Sequence, residues 1–85
     1  MYTGKIIDLD TISYYVLEET NYAGKNVVLL APVNTNTDQI DEDNLAIKEI
    51  VNNETGMEVK SLESPVEIDA LTKLLLDKYS KKNED

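Results

Sequence analysis

Apolar positions in this chain alternate or run together over the first sixty residues, then shift to a three- and four-residue spacing, which predicts a sheet followed by one helix. Residues 2–9 place Ile6, Ile7 and Leu9 among polar neighbours, as in a first strand of loose register. Asp8-Leu9-Asp10-Thr11 brings turn chemistry, since short Asp and Thr side chains hydrogen-bond nearby backbone. Residues 12–18 hold Tyr14, Tyr15, Val16 and Leu17, all good strand formers, and are expected to pair with the first strand as a hairpin. Gly24 then suits a turn position with positive φ. The run 26–32, Asn-Val-Val-Leu-Leu-Ala-Pro, is the most apolar outside the C-terminal segment and reads as the central strand. Val27, Leu29 and Ala31 face one way and Val28 and Leu30 the other, so both faces of this strand need cover. Pro32 has no amide donor and is expected at the strand's end rather than within its ladder.

Residues 34–44 are polar and acidic and read as one long mobile loop. In 45–51, Leu45 and Ile47 alternate as in a strand, yet Ile40, Ile47, Ile50 and Val51 would also line one helix face; the strand is preferred. Residues 52–56 form a hairpin-type loop, and 57–60 alternate after it. Ser64-Pro65-Val66-Glu67 combines a capping box with proline at the first helical position. Ile68, Leu71, Leu74, Leu75 and Tyr79 then make one apolar stripe, predicting a helix over 65–80 with a frayed tail over 81–85. The expected architecture is a single α+β domain over 1–80. A small antiparallel sheet of four or five strands carries one C-terminal helix on one face.

Composition narrows the function. The chain has 85 residues, 41% of them hydrophobic, enough for one small core. It has no cysteine, no signal-peptide h-region and no apolar stretch of membrane length, which fits a cytoplasmic setting (a host cytoplasm if phage-encoded). Formal net charge is −9, and every basic residue is lysine. Without arginine the bidentate fork for phosphate or guanine is missing, and the negative field repels a nucleic-acid backbone. Direct nucleic-acid binding is not expected.

Without His or Cys, the Ser-His and Cys-His nucleophile arrangements are impossible. Gly4, Gly24 and Gly56 are isolated, so there is no phosphate loop and no dinucleotide fingerprint. Aligning Asn34, Asn36 and Asp38 on the first ligands of a calcium loop puts Gln39 at the turn-glycine position and Leu45 at the bidentate-acid position, and the match fails. No enzyme activity, cofactor, metal, membrane or small-molecule ligand is indicated. The residues left as candidates for partner contact are Tyr14, Tyr15, Val28, Leu30, Asp38, Asp41, Glu42 and Asp43.

Tyr15-Val16-Leu17, residues 22–32, the acidic loop, the second strand pair and the C-terminal helix together resemble a family of small acidic Firmicutes proteins whose function is unassigned. The resemblance implies a compact sheet-plus-helix domain and carries over no catalytic residue. Two readings of function follow. One is a non-catalytic interaction or regulatory module that binds another protein, or itself, through its sheet. The other is a phage-type acidic mimic of nucleic acid, with Asp38, Asp41, Glu42, Asp43, Glu49, Glu54 and Glu58 as its face, occupying the basic site of a nuclease or polymerase.

Overall fold

The computed structural model describes residues 2–82. Along them run β1 (Ile6–Leu9), β2 (Ile12–Tyr22), β3 (Lys25–Asn34), β4 (Gln39–Ile40), β5 (Ala46–Asn53), β6 (Gly56–Ser61) and α1 (Pro65–Lys82). All strand pairings are antiparallel, in the order β1-β2-β3-β5-β6, with β4 also beside β3. This is the expected α+β sheet with a C-terminal helix, enlarged by the short β4.

The turns follow local chemistry. Ala23 and Gly24 both have positive φ (51° and 80°), as a two-residue turn between right-twisted strands requires. The β5–β6 hairpin closes on Asn53 and Gly56, where the Asn53 carboxamide oxygen accepts from the Thr55 amide (3.0 Å) and hydroxyl (2.7 Å). Helix α1 begins as read: the Glu67 amide donates to the Ser64 hydroxyl (3.3 Å), and the Ile68 amide closes the first turn on the Ser64 carbonyl (2.9 Å).

Five expectations are corrected. The first strand starts at Ile6, because Gly4 (φ 88°) turns the chain and the Lys5 amide bonds back to the Tyr2 carbonyl (3.0 Å). Strand β3 runs two residues past Pro32. The Pro32 carbonyl accepts from the Asp41 amide (2.8 Å), and its donor-less nitrogen faces the same way, where the ladder breaks between β4 and β5. Residues 34–44 are therefore not one loop but a turn organised by Asn34, the strand β4, and a second turn. In α1, Leu74 points outward, 46% exposed, and Leu76 takes its place against the core. The helix also continues through Lys82, its last turn held by Lys81–Asp77 (3.1 Å) and Lys82–Glu18 (3.7 Å) contacts; residues 83–85 of the expected tail lie outside the described residues.

The two faces of β3 are buried by different means. Val27, Leu29 and Ala31 join Leu17, Leu71 and Leu75 in a cluster beneath α1. Val28 and Leu30 join Ile7, Val16 and Ile50 on the other face, with Tyr2, Leu9, Tyr14 and Val59 packed against them. Ile7 and Val59 belong to the two edge strands, about 19 Å apart in a flat five-strand sheet at ~4.8 Å spacing. No helix of the described residues lies over this face, yet Val28 and Leu30 are 0% exposed, because the sheet is strongly curled. The chain thus covers both faces itself.

Candidate functional site

A β-bulge in β2 sets the polar anchors of this fold. The register steps between Val16 and Glu18, leaving Leu17 as the extra residue. Glu18 consequently pairs with Leu29 on the helix-covered face, and Glu19 with Val28 on the curled face. Glu18 is 7% exposed and lies 3.7 Å from both Lys78 and Lys82 of α1. Glu19 holds the N-terminal segment: its Oε1 accepts from the amides of Tyr2 (2.8 Å) and Thr3 (3.0 Å) and from the Thr3 hydroxyl (2.9 Å). Partial burial pushes the Glu19 carboxyl up, but the amides of Thr3 and Tyr2 and the Thr3 hydroxyl outweigh it, so it sits below its ordinary value of 4.5. From this anchor Tyr2 reaches over β3, and its hydroxyl accepts from the Asn52 carboxamide on β5. Glu18 and Glu19 thus act as structural clamps.

The exposed candidates gather at one end of the sheet. The β1–β2 turn follows the Leu9–Ile12 pair, and Tyr14 of β2 already sits opposite Pro32, so Asp8 lies level with the last residues of β3 and Asp10 beyond them. The β3–β4 turn carries Asp38 (φ 59°) to the same end, and the turn between β4 and β5 adds Asp41, Glu42 and Asp43. Asp41 shapes its own turn, accepting from the Asp43 amide (3.0 Å) and the Asn44 carboxamide (2.7 Å). Asp8 accepts from the Ser13 hydroxyl (2.6 Å). All six carboxylates are exposed. Residues 6–24 and 26–47 contain no lysine, and the helix lysines that reach β2 do so at Glu18, four residues in from Tyr14. The rest of the described chain carries nine carboxylates against eight lysines. Nearly all the net charge of the described residues therefore sits on this one pole.

The remaining candidates fall elsewhere. Val28 and Leu30 are 0% exposed, so the partner expected to cover them is replaced by the sheet's own curl. Tyr14 packs on the curled face and Tyr15 beneath the helix, the opposed orientation that adjacent strand residues require. Glu49 sits mid-sheet opposite Lys60, while Glu54 and Glu58 lie at the far end, about 20 Å from the pole at ~3.3 Å per residue. The seven-carboxylate face expected from sequence is thus split. In the sequence alone Asp8 and Asp10 stand as turn residues. Projecting the β1–β2 hairpin along β3 is the signal that adds them to the pole.

A shallow open depression of about 450 Å³ indents the pole between Pro32, Asn34, Gln39, Ile40 and Asp41. Among the described residues no three acidic side chains converge as a metal site. No helix of the described residues is long and apolar enough to cross a membrane. Scans against protein-family models, curated proteins and solved structures return no match. What the pole offers chemically is a fixed array of exposed negative charge, fit for attracting and orienting a cationic surface.

Proposed function

We propose that the protein is a non-catalytic interaction module of a bacterial or phage-infected cytoplasm that docks its acidic pole on a basic surface of another protein. The observation that carries this reading is the segregation of charge: six exposed carboxylates at one end, and near balance over the rest of the described chain. A carboxylate array without intervening lysine accelerates encounter with a cationic patch and fixes its orientation. The phosphate-mimic reading is a narrower form of the same contact. It uses the pole alone, because Glu54 and Glu58 lie at the opposite end.

The test compares two double variants of equal charge change. Glu42→Lys/Asp43→Lys alters the pole, and Glu54→Lys/Glu63→Lys alters the surface elsewhere; all four residues are exposed. Affinity purification from the native host, with mass-spectrometric identification, is expected to recover a basic-surfaced partner with the parent and the second variant. The pole variant loses it, and the parent's complex dissociates as salt rises and the attraction is screened. Retention by the pole variant, or binding indifferent to salt, overturns the proposal. Displacement of the partner by duplex DNA identifies the narrower form.

A further inference from the structure

Strand β6 closes one edge of the sheet, and among the described residues only β5 pairs with it. Its residues are exposed except for the half-buried Val59, and Met57 is 44% exposed. The segment after it turns back over the sheet, where Leu62 packs on the cluster beneath α1, so the outer edge stays clear. Hydrogen-bonding parity follows from the tight β5–β6 turn. Asn53 and Gly56 are the closing pair, so alternation along the ladder directs the backbone groups of Met57, Val59 and Ser61 away from β5.

Charges on an edge strand ordinarily block pairing. Here they are arranged differently. Glu58 and Lys60 flank Val59 symmetrically and lie 3.7 Å apart within the chain, both more than half exposed. A two-fold axis through Val59 would set two copies of β6 antiparallel. Val59 meets Val59, Met57 meets Ser61, and Glu58 of each copy lies opposite Lys60 of the other. The outward backbone groups of Met57, Val59 and Ser61 are those such a pairing uses. The other sheet edge lacks this pattern: β1 is four residues long, and its one charged residue is Asp8.

We infer that β6 is a self-complementary edge that joins a second copy of this chain into one continuous sheet centred on Val59. The antiparallel two-fold sends the two acidic poles to opposite ends of the joined sheet, where their mutual repulsion is smallest. A six-residue strand pair buries less than the ~1,200 Å² of standard interfaces, so the association is weak, roughly micromolar.

Sedimentation velocity of the purified chain from about 1 μM to about 1 mM spans that range. It is expected to show a shift from monomer to dimer. Glu58→Lys alone and Lys60→Glu alone set like charges opposite each other twice per dimer and raise the dissociation constant about tenfold each. The double swap Glu58→Lys/Lys60→Glu restores opposite pairing and returns dimerisation to the parent level. A parent that stays monomeric overturns the inference, as do single variants that dimerise normally or a double swap that does not recover. Hydrogen exchange gives a readout free of any variant. The amides of Met57, Val59 and Ser61 gain protection with concentration, and unchanged exchange there, alongside a dimer, places the contact elsewhere. Glu58 and Lys60 lie off the pole, so failure here leaves the docking proposal standing.

Discussion

Glu18 and Glu19 are consecutive residues of one kind on one strand, yet they fasten opposite ends of the chain. Glu18 faces the helix and is held by two lysine side chains, each at 3.7 Å. Glu19 faces the curled side and is held by three short donors of the N-terminal segment, between 2.8 and 3.0 Å. The Lys78 ammonium adds a 2.7 Å bond to the Glu19 carbonyl, so the two clamps share a backbone. Regular alternation would send Glu18 to the face of Val16. The one extra residue, Leu17, reverses that, so Glu18 turns to the helix and Glu19 to the curled face. One face is roofed by a helix, the other by the sheet's own curl and a short strap. A core needs complete cover, and the element that gives it is secondary.

The sharpest way to break this comparison is to hollow out each face in turn. Leu75→Ala beneath the helix and Leu30→Ala on the curled face each remove a side chain at 0% exposure. Each is expected to cost about 3 kcal/mol in urea unfolding. A cost under about 1 kcal/mol for Leu30→Ala would mean that the curl does not close over a packed core.

Glu19→Gln tests the strap at smaller scale, with an expected loss of about 1.5 kcal/mol at neutral pH as charge-assisted bonds weaken. The folded carboxyl lies below its ordinary 4.5, so the stabilisation is fully present above that value and disappears as pH falls through the lower folded one. The difference between parent and variant should therefore shrink on acidification. A gap that persists at low pH would assign the strap's strength to something other than the ionised Glu19.

The smallest effect concerns the β2–β3 turn, which aligns both faces. Ala23 adopts φ 51° there, a conformation that suits Asn better than Ala. Ala23→Asn is expected to raise stability by about 0.5 kcal/mol, read as a rise in melting temperature.

Much of this fold was legible because local chemistry and tertiary structure agree. Ser64 and Pro65 announce the helix start, the run of β3 announces a strand buried on both sides, and Asn53 to Gly56 announce a hairpin. The missed features depend on neighbours that sequence spacing does not reveal. Nothing local to Tyr15-Val16-Leu17-Glu18 marks the bulge, because it exists only relative to β3. The curl was invisible for the same reason, so Val28 and Leu30 read as a surface awaiting a partner. Leu74 and Leu76 exchange roles because the helix lies at an angle that its own periodicity does not fix. Of the pole, Asp38, Asp41, Glu42 and Asp43 were identified directly, whereas Asp8 and Asp10 join it only through the register of the β1–β2 hairpin.

The clamps also bear on the order in which the molecule assembles. The β1–β2, β2–β3 and β5–β6 pairs are local hairpins, so most of the sheet can zip up from contacts close in sequence. The Tyr2–Asn52 and Lys78–Glu19 bonds span separations of 50 and 59 residues and have partners only once that sheet exists. Such late contacts slow the opening of the native state more than they hasten its formation. In a chevron of Glu19→Gln, the unfolding limb should rise while the folding limb stays in place. Two adjacent glutamates then act as latches on kinetic lifetime, closing after the fold is already drawn.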